Sequence, residues 1–410
     1  MPVLFAIALA LAMFGQVLGF GLGSEVLVAR DALLAICVAF CFTRIRDYAF
    51  LLLASGAVGL MCVAVVADIV FRGSDAGSVV SAIRNVFSLV AIPVMACYRP
   101  TGQEHARWSR FSKTVLRVAF WVFFLVLLVE AIFAAVLPAL YALADAVARA
   151  FLESKGVLAN TEAGILGLPR MRTLILNPVQ GAWFLLMLWI ALPVRRFWES
   201  TALLAGLALT VAKVASAGLV VWAFLRTRSV AMRAGIAVTG LVALSALLLS
   251  GLAQSEGAGA HVASGLLHLE GLVSGLVHGL QHPLGAGFGS VGLAAAKSAG
   301  QVTPGMESFV GSTVAALGWI GIAVIGLSAM LFLAGDDFSR ALGAVVLAGI
   351  MISDNVASLY LYAPLLLRPF AFGFGRERTL ASAVDPGARG DDEPHSNVPE
   401  QHNGLGNAEA

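Results

Sequence analysis

Apolar residues follow one another through this chain in runs of about twenty, and that feature limits what it can fold into before any motif is considered. A spanning helix needs roughly 20 mostly apolar residues to cross a hydrocarbon core of about 30 Å, and such runs occur almost end to end. With 59% hydrophobic and 12% charged residues among 410, and a mean hydropathy of +0.90, the chain cannot be a water-soluble globule. The expectation is an all-α, polytopic integral membrane protein with about twelve transmembrane helices. They are expected at residues 3–21, 26–43, 48–71, 78–98, 116–140, 179–194, 199–211, 214–225, 231–252, 309–333, 340–352 and 356–372. The first run has no basic leader and no small-residue cleavage site, so it reads as a membrane helix and not as a removable signal.

Charge orients the bundle. Arg44 and Arg46 share one connection. Arg99, Arg107, Arg110, Lys113 and Arg117 cluster around the next on that side, and Arg195, Arg196, Arg226, Arg228 and Arg233 continue the series. All fall on one side if both termini are cytoplasmic. Two long connections, 141–178 and 253–308, then emerge on the opposite face. Residues 376–410 hold three Arg against seven Asp or Glu, are rich in Gly, Pro and Asn, and read as a disordered cytoplasmic tail. Basic residues form no single patch, so nucleic acid is not an expected partner. Cys37, Cys41, Cys62 and Cys97 lie inside apolar runs without metal-ligand spacing and read as small core residues.

Residues 264–282 are patterned at helical spacing. Leu266, Leu269, Val273, Leu276 and Leu280 build one apolar stripe; Ser264, His268, Gly271, Gly275, His278 and His282 form a small, polar face opposite it. One reading is an amphipathic helix on the membrane surface with its histidines in water. The other is a helix whose glycines permit close approach of a sugar or of another helix. His278 and His282 are spaced i, i+4, but no third metal ligand is apparent, so no metal is expected. Pro283 should end the helix. Gly285, Gly287 and Gly289 then alternate in a segment that can present N–H groups to phosphate or make a tight turn.

The block QHPLGAGFGSVG, followed after a short stretch by ESFVGSTVAALGWIGIAVIGL, and the upstream PRMRTLILNPVQGAWFLLMLWIALP resemble the bacterial O-antigen ligase and Wzy-type polysaccharide polymerase superfamily. The resemblance covers roughly residues 165–335. LALTVAKVASAGLVVWAFL stands where that family usually has Thr-x-Ser-Arg, so Lys213 would supply the positive charge. Ligases usually place a histidine near Glu307, whereas many polymerases carry Glu-Ser there.

The resemblance implies polymerisation of polyprenyl-pyrophosphate-linked oligosaccharide repeat units at the periplasmic face of the inner membrane, with neither metal nor other cofactor. Ligase-type transfer of a finished glycan to a lipid or protein is the nearest alternative, and a lipid-linked oligosaccharide flippase is the alternative from another class. On this reading Glu307 takes the acceptor proton, while Arg172 and Lys213 stabilise the departing pyrophosphate. Arg170, His268, Glu270, His282 and Arg84 bind substrate. Membrane lipids and a chain-length regulator of polysaccharide synthesis are the other implied partners. Arg84 lies inside an apolar run, where a central charge costs roughly 2.5–3.5 kcal/mol; it should be paired, with Glu130 or Asp68, or should meet the carrier's phosphates. The plainer readings are loop charge or headgroup contact for Arg170 and Arg172, a snorkelling side chain for Lys213, and a dipole-favoured helix-start acid for Glu307.

Overall fold

The computed structural model describes residues 1–23, 25–72, 76–154, 171–236, 256–288 and 308–372, and every regular element among them is helical. The elements are α1 (Pro2–Leu22), α2 (Glu25–Thr43), α3 (Tyr48–Arg72), α4 (Ala76–Cys97), α5 (Gly102–Val136), α6 (Pro138–Ser154), α7 (Pro178–Ala191), α8 (Phe197–Thr210) and α9 (Lys213–Arg226). After them come α10 (Glu256–Gln281), α11 (Phe309–Leu317), α12 (Trp319–Ala334), α13 (Asp337–Ile352), two 3-10 turns (Asp354–Val356 and Leu359–Tyr362) and α14 (Pro364–Ala371). Four helices among the described residues are long and apolar enough to cross a membrane: Pro2–Leu22, Glu25–Thr43, Tyr48–Val70 and Gly102–Val136. The chain thus has the helices of a membrane-embedded protein.

The run at 116–140 is not one span. Helix α5 begins earlier, on a capping box in which the Glu104 N–H donates to Thr101 Oγ1 (3.3 Å) and the Thr101 N–H to Glu104 Oε2 (2.9 Å). It stops at Val136, because Pro138 pushes Leu137 out of the helical region (φ −127°, ψ 60°) and opens α6. The expected loop at 141–178 therefore starts as helix, and α10 occupies much of 253–308. The run at 309–333 breaks at Gly318, whose φ of +59° suits glycine, and α12 folds back until Gly321 lies against Val314 of α11. The run at 356–372 is a 3-10 turn followed by the eight-residue α14.

Helix α7 explains why hydropathy alone suggests so many spans. Its 14 residues reach about 21 Å, short of a hydrocarbon core. Trp183, Phe184, Leu185, Leu186, Met187 and Leu188 are all fully buried, on every side of the helix. A helix wrapped by other helices is as apolar as one wrapped by lipid. The 231–252 run is described only to residue 236, and the 376–410 tail lies outside the described residues.

Side-chain contacts divide the bundle into two ends. At one, Arg44 meets Glu104 (3.6 Å), Arg99 bonds Asp336, and Arg117 bonds Glu199 (2.8 Å); Phe5, Phe40, Tyr98 and Phe370 pack edge to face beneath them. At the other end lie the α1–α2 turn, the start of α4, the end of α5, the start of α7 and the 3-10 turns. That end carries the irregular backbone. Among the described residues, every positive φ (Gly23, Thr173, Leu176, Val211, Gly285, Gly287 and Gly318) belongs to its connections.

Candidate functional site

The end of α5 and the turn leading into α7 build the first half of the site. Glu130, near the end of α5, accepts the backbone N–H groups of Arg172 (2.7 Å) and Thr173 (2.8 Å) and the Tyr141 hydroxyl of α6 (3.0 Å). Thr173 and Leu176 sit at φ of +62° and +59°, a conformation that costs side-chain-bearing residues about 1–3 kcal/mol each and persists only where surroundings enforce it. Glu130 is such an enforcer. Asn177 then caps α7, accepting from Val179 (3.0 Å) and Gln180 (3.2 Å). The Arg172 guanidinium, almost fully buried, bonds Asp145 of α6.

These groups face a hollow of about 260 Å³ lined by Glu130, Tyr141, Asp145 and Arg172. An apolar groove of about 490 Å³, lined by Val17, Phe20, Phe133, Leu140, Leu143 and Val147, adjoins it; Val17, Phe133, Ala144 and Leu176 belong to both. Polar wall and greasy trough thus meet in one depression.

The second half is a polar chain through the bundle. Arg30 is buried, laid on the Tyr360 ring at 4.0 Å and bonded to Asp31 Oδ1 (2.9 Å). Arg84 reaches Asp31 Oδ2 (3.2 Å). Its partner is therefore Asp31, not Glu130 or Asp68 as expected from sequence; Asp68 accepts the Phe288 N–H (3.0 Å). The Tyr360 hydroxyl donates to Gln180 Oε1 (2.7 Å), the Gln180 amide donates to the Asn355 carbonyl (3.1 Å), and Asn177 donates to Asn355 Oδ1 (3.4 Å).

Lys213, half-buried, opens α9 one turn from Leu209, whose carbonyl accepts the Met171 N–H (3.4 Å). Lys213 and Arg172 therefore begin adjoining segments. Helix α10 lies with Gly271, Gly275 and Gly279 against α11, so close that a Cβ at Gly275 would overlap the Gly311 backbone. Its glycines admit another helix, one of the two alternatives the sequence offered. Leu269, Val273 and Leu280 point outward; His268 is half-buried, and Glu270 and His282 are exposed. The glycine turn after Pro283 is structural: the Ala286 and Gly287 N–H groups cap the end of α11, donating to Ala315 and Ala316 carbonyls (2.9 Å each). Those N–H groups are not free for phosphate.

Arg170 and Glu307 lie outside the described residues. Ser308, next to Glu307, is buried, caps α11 through the Gly311 N–H (3.1 Å) and donates to the Met351 carbonyl (2.9 Å). Among the described residues no three His, Cys, Asp or Glu side chains are close enough to hold a metal ion. Sequence reasoning missed Arg30, Asp31, Asp145 and Tyr360 as site residues. For Arg30 and Asp31 the signal was present, because a charge pair inside the run EVLVARDALLAI demands an explanation. No protein-family model, curated protein or solved structure matches the chain.

Proposed function

We propose that the chain is a metal-independent membrane glycosyltransferase that polymerises polyprenyl-pyrophosphate-linked oligosaccharide repeat units at the outer face of a bacterial inner membrane, with both termini cytoplasmic. The sequence resemblance motivates the reading. The observation that carries it is the depression in which a polar wall bearing Arg172 adjoins an apolar trough, because a lipid-linked glycan needs both surfaces at once. The positive-inside rule supports a cytoplasmic side at the basic end of the bundle, and on that orientation the depression faces outward.

In this mechanism the acceptor hydroxyl oxygen attacks the anomeric carbon of the donor sugar. The bond from that carbon to the pyrophosphate oxygen breaks, the electron pair leaves with the polyprenyl pyrophosphate, and the hydroxyl proton passes to Glu307. Arg172 and Lys213 offset the charge growing on the leaving group. Asp145 holds the Arg172 guanidinium and Glu130 its backbone N–H, which together keep the fork in one orientation and favour contact with phosphate oxygens. Arg170 adds a second guanidinium, and His268, Glu270 and His282 offer polar contacts to sugar.

Elongation of a purified lipid-linked oligosaccharide in proteoliposomes tests the assignment. Glu307→Gln should abolish elongation and Arg172→Ala should weaken carrier binding; normal elongation by the first removes the base, and unchanged affinity in the second removes the phosphate role. A deletion strain should accumulate single repeats outside the membrane. Long unattached chains would instead indicate a ligase, and repeats trapped inside a flippase.

A further inference from the structure

We propose that Arg84, backed by Arg30 and Asp31, forms a binding site for the phosphate group of a membrane lipid. The site uses none of Arg172, Lys213 or Glu307 and requires no glycan, so it takes Arg84 out of the substrate-binding set that the resemblance implies and gives it a separate lipid ligand. Among the described residues the ion pairs of Arg30 and Arg84 both end on Asp31, so two guanidinium groups share one carboxylate. Arg30 is buried; its Nη1 lies toward Gly15 of α1 and has no hydrogen-bond partner among the described residues, so its charge, and not that N–H, acts at the hollow. An excess positive charge beside a hydrocarbon-like interior calls for an anion.

A small, partly open hollow of about 100 Å³ lies between α2, α4 and the second 3-10 turn, lined by Asp31, Ala35, Arg84, Phe87, Ser358 and Tyr360. It is large enough for a tetrahedral oxyanion but not for a sugar. Arg84 gives one N–H to Asp31 and its side chain is 50% exposed, so the rest of its fork is available to an incoming ligand. Guanidinium groups bind phosphate oxygens in pairs of parallel hydrogen bonds.

The apolar surroundings of the hollow select a lipid over a soluble ion. Val28, Ala32, Ala35 and Ile36 form one exposed apolar face of α2, and Ala35 also lines the hollow. A phosphate seated at Arg84 can run its apolar chains along that face without crossing polar surface. A headgroup phosphate with attached chains satisfies the charge and the face together.

Binding to the purified full-length chain in neutral detergent, followed by native mass spectrometry and thermal shift, tests the site with dioleoylphosphatidic acid, dioleoylglycerol and inorganic phosphate. Phosphatidic acid should bind at least about tenfold more tightly than either other probe, and Arg84→Gln should weaken it by about tenfold. Arg84→Lys, which keeps the charge but loses the fork, should bind between the wild type and Arg84→Gln. Asp31→Asn, which removes the competing carboxylate, should strengthen it; a merely structural Arg84–Asp31 pair would make the Asp31 and Arg84→Gln variants weaken alike. Equal phosphatidic acid affinity in wild type and Arg84→Gln overturns the site, as does equal binding of dioleoylglycerol. Inorganic phosphate binding as tightly as phosphatidic acid overturns the lipid source. Arg84 faces outward, so its variants report on binding even where Asp31→Asn fails to fold.

Discussion

The two ends of the bundle differ in what their polar side chains hold in place. At the basic end, arginines cap the carbonyl ends of helices. Arg99 donates to Ala96 and Tyr98 (2.7 and 2.8 Å), Arg195 to Trp189 and Ile190 (3.1 Å each), and Arg340 to Leu333 (3.1 Å). Cations belong there, because helix C-termini carry partial negative charge and unsatisfied carbonyls. At the irregular end, carboxylates receive backbone N–H groups from turns: Glu130 holds Arg172 and Thr173, and Asp68 holds Phe288. The first arrangement closes helices that would form anyway. The second holds backbone that would otherwise relax, and fixed irregular backbone is what a site requires.

Cutting a turn clamp should therefore cost more than cutting a helix closure. Glu130→Ala leaves the Arg172 and Thr173 N–H groups and the Tyr141 hydroxyl without their acceptor, at about 1–3 kcal/mol for each group left buried. A loss on the order of 3–5 kcal/mol, seen as a fall in the unfolding midpoint of the detergent-purified chain, is expected. A shift no larger than that of an exposed-residue control would show that the turn holds itself. Gly275→Ala comes next. Its Cβ would overlap the Gly311 backbone, which has no flexible end to yield, so α10 should lift from α11 at about 1–3 kcal/mol. Faster amide exchange across Phe309–Leu317 reads that out, and unchanged protection would sink the close-packed interface.

The basic end supplies the contrast. Glu199 is buried and accepts from Arg117 (2.8 Å) and from the Arg196 N–H (2.7 Å). Arg117, however, is 30% exposed and can turn to solvent or headgroups. Glu199→Gln should then cost about 1 kcal/mol and leave the protection of 171–177 unchanged. A loss as large as that of Glu130→Ala would erase the distinction between the ends.

These residues also mark what the sequence could reveal. That the chain is helical and membrane-embedded followed from its apolar runs, whereas the break before Pro138 rested on a proline that the hydropathy of its neighbours masked. Gly271 and Gly275 announced a close approach, but pattern alone could not say to what, since a sugar and the Gly311 backbone both require a missing Cβ. Glu130 was visible only as a charge in an apolar run; that it clamps residues 172 and 173 depends on a turn more than 40 positions away, which no local periodicity encodes. Arg172 was readable as a cation, whereas its pairing with Asp145 depended on α6 forming where a loop was expected.

The smallest expected difference between the ends is in their response to acid. Burial, and then the neighbouring imidazole of His282 at 4.4 Å between ring centroids, hold His278 below its usual value. The folded chain then binds fewer protons at this position than the unfolded chain. Docking of α10 is at full strength above the unfolded histidine value of about 6.5 and weakens as pH falls through it toward the lower folded value. Asp336, at the basic end, behaves differently. Burial would raise its value, but Arg99 and the N–H and hydroxyl of Ser339 outweigh burial and lower it. Its contribution is complete above the unfolded carboxylate value of about 3.9 and is lost only below that. Between pH 7.5 and 5.5, amide protection corrected for intrinsic rate should fall by less than about tenfold over Gly271–Gln281 and stay level over Asp337–Ile352. His278→Gln should remove the fall, because histidine protonation is its cause; the same fall in that variant would assign it to another group.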